Sequence, residues 1–108
     1  MTKHITFTGN ESEEFPLDIA TQWTANYRAA NPKAIKAHFF GIHPLRKALG
    51  QKHCVGLRMY YALDELGVKQ LIAVGVDAQG NDLFDGIILD RAVPCPPFCD
   101  NEKSPLNG

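Results

Sequence analysis

The chain has 108 residues, 44% hydrophobic and 21% charged, with a formal net charge of −1 and a pI near 6.4. These values fit one soluble domain of common size with a single core. They exclude a strong field for polyanions: Lys33, Lys36, Arg46, Lys47 and Lys52 are only mildly concentrated, and Glu11, Glu13 and Glu14 offset them, so no nucleic-acid partner is expected.

The first fifteen residues, MTKHITFTGNESEEF, lack the ~7–15-residue apolar core of an export signal. No stretch approaches the ~18 apolar residues of a membrane span. The expected location is cytoplasmic, with no membrane partner. "HITFT" (4–8) alternates and is rich in β-branched and aromatic residues, so residues 1–14 read as a short edge strand, or a frayed end, followed by a polar linker. In "LDIATQWTANYRAAN", Ala20, Trp23, Tyr27 and Ala30 recur at spacings of three and four, the stripe of an amphipathic helix, with Asp18 as its N-cap. Pro32 ends it.

"NPKAIKAHFFG" restarts a helix with Asn31 as cap and Pro32 at the first position; Ile35 and Phe39 share a face, and Gly41 stops it. "HPLRKALGQ" repeats the device, with Leu45 and Leu49 apolar and Gly50 at the end. Residues 32–50 are thus two short helices or one kinked one. From residue 54 the period changes to two. In "CVGLRMYYALD", Val55, Leu57, Met59, Tyr61 and Leu63 point one way and Cys54, Gly56, Arg58, Tyr60 and Ala62 the other. "DELG" is a turn with Gly67 able to take positive φ. "KQLIAVGV" is a nearly continuous apolar strand, "DAQGND" a second turn, and "DGIILDRA" a shorter strand. The expectation is an α+β fold in one domain, residues 1–108: N-terminal helices packed on a small antiparallel β-meander of three to four strands, in two layers. Residues 91–108 form an extended tail containing Pro and Cys.

Three readings compete for "RAVPCPPFCDN" (91–101). As a zinc clip, Cys95 and Cys99 need partners from Cys54 or from His4, His38, His43 and His53, with His38 and His53 the candidates; no second cysteine pair completes the usual pattern. As a redox pair, C-x3-C departs from the Cys-x-x-Cys of catalytic dithiols. Pro96 and Pro97 favour polyproline II at about 3.1 Å per residue, which puts the cysteines roughly 12 Å apart. A disulfide needs about 4.4–6.8 Å and hence a turn. As a stiff strap, the prolines reduce the entropy lost on docking and the thiols act as small hydrophobes. The strap is favoured, no cofactor is expected, and zinc remains the alternative.

Asp77, Asn81, Asp82 and Asp85 lack the alternating carboxylates and terminal Glu of a calcium loop and read as a solvated turn. Arg58 beside Tyr60 on one strand face suits an anionic ligand, or equally an acidic neighbour. Phe39 and Phe40 cannot share one core face, so Phe40 and Tyr60 are the interface candidates, and a homodimer would hide the surplus aromatic surface. No residues stand in a nucleophile–base or paired-carboxylate pattern, so no catalytic residue is assigned.

The combination "WTANYRAANP", "AHFFG", "CVGLRMYYALDELG", "VGVDAQGNDL" and "PCPPFC" resembles a group of small bacterial proteins that carry a C-terminal PCPPxC segment. The resemblance spans nearly the whole chain. It implies one complete cytoplasmic domain and carries over no activity, cofactor or site residue. The function expected is a small non-catalytic binding or interaction module for an unknown protein or small molecule. The alternatives are a zinc-binding or thiol-dependent protein using Cys95 and Cys99, and a structural accessory subunit.

Overall fold

Among residues 3–108, which the computed structural model describes, the elements follow as α1 (Leu17–Ala30), β1 (Ala37–Phe39), α2 (Ile42–Leu49), β2 (Gly56–Leu63), β3 (Lys69–Val76), β4 (Ile88–Leu89) and β5 (Val93–Cys95). The strands form two antiparallel sheets, β2-β3-β4 and β1-β5, so the fold is α+β. The chain divides into two compact units: residues 3–12 with Phe40–Ala92, and Glu13–Phe39 with Val93–Gly108.

The first unit is built on the β2–β3 hairpin, which runs in unbroken register from Gly56↔Val76 to Leu63↔Lys69. Two turns of one design bound β3. In "DELGV", the Asp64 carboxylate accepts from the Leu66 and Val68 N–H groups, both at 2.9 Å, while Gly67 takes φ 79. In "DAQGN", Asp77 accepts from the Gln79 and Asn81 N–H groups, both at 3.0 Å, and Gly80 takes φ 83. Each Asp holds its turn through a side-chain oxygen, and each Gly supplies the left-handed residue at no steric cost.

Packing in this unit is concentrated on a few small residues. α2 lies against β2, β3 and β4, and Ala48 and Ala73 are fully buried. Gln51, just past the helix, donates to Ala48 O at 2.8 Å and accepts from the Ile87 N–H at 2.9 Å. Its side chain passes so close to Gly75 that a Cβ there would meet Gln51 Nε2 at 2.9 Å and Cys54 Sγ at 3.1 Å. The predicted strand over 85–92 shrinks to Ile88–Leu89: Ile87 gives its N–H to Gln51 instead of β3, and Arg91 turns to φ 60. The predicted edge strand at 4–8 is absent. The backbone bond there is from the Phe7 N–H to Ala78 O, 2.7 Å.

In the second unit α1 forms over the predicted segment, but the predicted stripe is not its buried face: Ala20 and Tyr27 are half-buried while Trp23 is 61% exposed. Pro16 occupies the N-cap and Asp18 sits in the first turn, accepting from the Ile19 N–H at 3.0 Å. The helix predicted over 31–41 does not form. Residues 31–36 are irregular and Ala37–Phe39 become β1, because this stretch pairs with β5: Ala37↔Cys95, His38↔Pro94, Phe39↔Val93. A partner strand distant in sequence overrides the local helical spacing. Only the second of the two expected helices survives, as α2. The C-terminal segment is anchored rather than free: Arg28 Nη1 donates to Leu106 O at 2.8 Å and Lys36 Nζ to Asn107 O at 2.9 Å.

Hydrogen bonds from the Val68 N–H, then from Gln70 Nε2 and the Leu66 N–H, hold the Asp64 carboxyl below its ordinary value. A depressed folded-state pKa contributes stability that is present above the unfolded pKa and is lost as pH falls through the folded value. Asp64→Asn is therefore expected to be less stable than the parent in urea unfolding at neutral pH, and the gap should close in acid. A gap that does not change with pH would contradict this role.

Candidate functional site

Strand alternation separates the two faces of β2. Arg58 and Tyr60 share one face with Val74 and Val76 of β3, and the isolated bridge Val76↔Asp82 brings Asp82 to that side. Arg58 Nη1 donates to Asp82 Oδ1 at 2.6 Å and to Gly80 O at 3.2 Å, and the Tyr60 hydroxyl donates to Asp82 Oδ2. The Phe7 ring lies over the guanidinium, 5.5 Å from Cζ to the centroid. The expected ligand-binding pair, Arg58 and Tyr60, is thus brought together on an internal carboxylate. Both oxygens of Asp82 are occupied, and the Arg58 charge is matched within the chain.

A cleft of about 380 Å³ lies between residues 7–12 and the start of β2, lined by Phe7, Glu11, Val55, Leu57 and Arg58 among others. Glu11 closes its own loop by accepting from the Thr8 and Gly9 N–H groups at 2.8 and 2.9 Å. These bonds, the Thr8 bond foremost, hold its carboxyl below the ordinary value. What the cleft presents is an apolar floor with one fixed carboxylate and one neutralised cation.

The opposite face of β2 carries Leu57, Met59, Tyr61 and Leu63. Toward Gly75 it is covered by Gln51 and Cys54. Toward the Asp64 turn it is bare: Tyr61 is 86% exposed, Leu63 72% and Leu66 85%. Among the described residues β2 is also an edge strand, pairing with β3 alone. Of the interface candidates, Tyr60 is exposed but committed to Asp82, and Phe40 is half-buried, while its neighbour Phe39 is exposed.

In the second unit Cys95 and Cys99 form a disulfide with Cα atoms 4.7 Å apart. The extended polyproline II path gives way to a turn: the Phe98 N–H donates to Pro94 O at 3.0 Å, and the Cys95–Pro96 and Pro96–Pro97 bonds are cis. Beside the disulfide lies a cleft of about 230 Å³ whose walls include Lys36, His38, Phe39, Val93, Phe98 and Leu106. Of the metal candidates, Cys95 and Cys99 bond to each other, His38 stands in β1 opposite Pro94, and His53 belongs to the other unit. Among the described residues no group of three His, Cys, Asp or Glu side chains is placed to hold a metal ion, and no helix is long and apolar enough to cross a membrane.

Two features escape sequence reasoning. Asp82 is 24 residues from Arg58, and only the hairpin register shows that they share a face. The bare end of the Tyr61 face depends on how far a short α2 reaches, which no spacing encodes. Comparison with protein-family models, with curated proteins and with solved structures finds no match.

The Asp82 hydrogen bond raises the Tyr60 hydroxyl above its ordinary pKa. In Asp82→Ala the tyrosinate absorbance assigned to Tyr60 is expected to titrate at lower pH than in the parent. Unfolding should cost about 1–2 kcal/mol less than in the parent, because a partly exposed ion pair is screened while Arg58 loses its partner. An unchanged Tyr60 titration would contradict the clamp.

Proposed function

We propose that the protein is a small non-catalytic interaction module and that the partner of its β2 edge is a second copy of the same chain. The observation that carries this reading is the bare edge of β2, where Tyr61, Leu63 and Leu66 stand exposed beside unpaired backbone. Natural edge strands are blunted by Lys, Pro, bulges or brevity. β2 is eight residues long, reads GLRMYYAL, and contains neither Lys nor Pro.

Antiparallel pairing of β2 with its symmetry mate satisfies the edge and extends the sheet across a two-fold axis, as an isologous contact requires. The strand suits self-pairing electrostatically. Its only charge, Arg58, is directed to Asp82, so no like charges need meet across the axis. With about 150–250 Å² for a whole aromatic side chain, the exposed parts of Met59, Tyr60, Tyr61, Leu63 and Leu66 offer roughly 600 Å² per copy. Two copies would bury on the order of 1,200 Å² in total, the lower end of the range for specific interfaces.

Light scattering at micromolar concentration should give twice the 11.9 kDa chain mass. Tyr61→Glu is expected to weaken the dimer more than about tenfold, equivalent to ~1.4 kcal/mol, with the monomer's circular dichroism unchanged. A monomeric parent at that concentration, or a dimer indifferent to Tyr61→Glu, would overturn the reading.

A further inference from the structure

The two sulfurs of the Cys95–Cys99 bond stand in different surroundings. Cys95 is 8% exposed. Its backbone is fixed in the β1–β5 ladder, where its carbonyl accepts from the Lys36 N–H at 2.8 Å. Both cysteines line the 230 Å³ cleft, but Cys99 lies beyond the turn and is only half-buried. Of the two, Cys99 is the more exposed to a thiolate entering that cleft. Phe39, Val93 and the 69% exposed Phe98 offer it apolar walls, and Lys36, whose ammonium donates to Asn107 O, also lines the cleft. The bond closes a ring with a sequence separation of only 4. Loop-closure entropy grows with ring size, so a ring this short is a weak staple for the fold as a whole. Its effect is local, on the turn and the residues that follow it.

We infer that Cys95–Cys99 is an exchangeable disulfide, opened by a low-molecular-weight dithiol or by glutathione attacking Cys99 Sγ. The incoming thiolate forms a bond to Cys99 Sγ while the Cys95–Cys99 bond breaks, and Cys95 leaves as a thiolate that takes up a proton. A second reductant thiolate then attacks the reductant sulfur of the mixed disulfide and releases Cys99, which is also protonated. The protein gains two electrons as two thiols form, and two reductant thiols become one disulfide. Cys95 stays held in its ladder throughout, while Cys99 is freed to move with the residues after it.

Cys54, the remaining cysteine and a free thiol, provides an internal standard. The folded full chain is incubated with or without millimolar reduced glutathione or dithiothreitol, then quenched in acid, denatured, alkylated with N-ethylmaleimide and weighed. One adduct without reductant and three after native reduction are expected, with transient glutathione mapped to Cys99. Cys99 in Cys95→Ser should react with N-ethylmaleimide, in folded protein, at least about tenfold faster than Cys95 in Cys99→Ser. Three adducts without reductant would show that the bond does not form. One adduct persisting until the chain is denatured would show an inert staple. Glutathione mapped to Cys95, or equal alkylation rates, would reverse the assigned roles. Any of these overturns the inference.

Discussion

Pairing between β2 and β3 is the interaction on which the first unit depends. An eight-residue antiparallel ladder fixes which side chains share a face, and a one-residue slip would exchange the faces completely. Arg58 and Tyr60 meet Asp82 only in the observed register, and Gly75, paired with Leu57, admits Gln51 because it carries no Cβ. The aspartates that close the two turns act on the same constraint. Each binds two backbone N–H groups of its own turn, so the length of each connection, and with it the register, is set locally.

That register divides the sheet into a satisfied face and an incomplete one. On the Arg58 side, charge is neutralised within the chain and the aromatic Phe7 covers the guanidinium. On the Tyr61 side, α2 is eight residues long, about 12 Å at 1.5 Å per residue. An eight-residue strand spans about 26 Å, so a helix of this length leaves the far end of the face open. The apolar strip at Tyr61, Leu63 and Leu66 follows from this mismatch in length. It is where apolar burial has most to gain from a partner.

Where local chemistry decides, the sequence was legible. β3 occupies the predicted apolar run Lys69–Val76, both turns stand where Asp and Gly lie three apart, and α1 forms over the segment whose spacing predicted a helix, though Trp23 of its stripe stands exposed. Where distant residues decide, it was not. Ile35 and Phe39 have helical spacing, yet β5 claims Ala37–Phe39 for a sheet. Pro96 and Pro97 suggest extension, yet the segment turns on the Phe98–Pro94 bond and brings Cys99 back to Cys95. Arg58 and Tyr60 stood out as a cation beside an aromatic. Their partner Asp82, in a turn read only as solvated, required the hairpin to be folded first.

Self-association through the edge of β2 is tested most directly by backbone hydrogen exchange measured over a dilution series of the full chain. Protection across Met59–Leu63 is expected to fall as the protein is diluted, while amides of β3, paired within the chain in either state, keep theirs. Equal protection of β2 at every concentration would contradict a second copy at this edge.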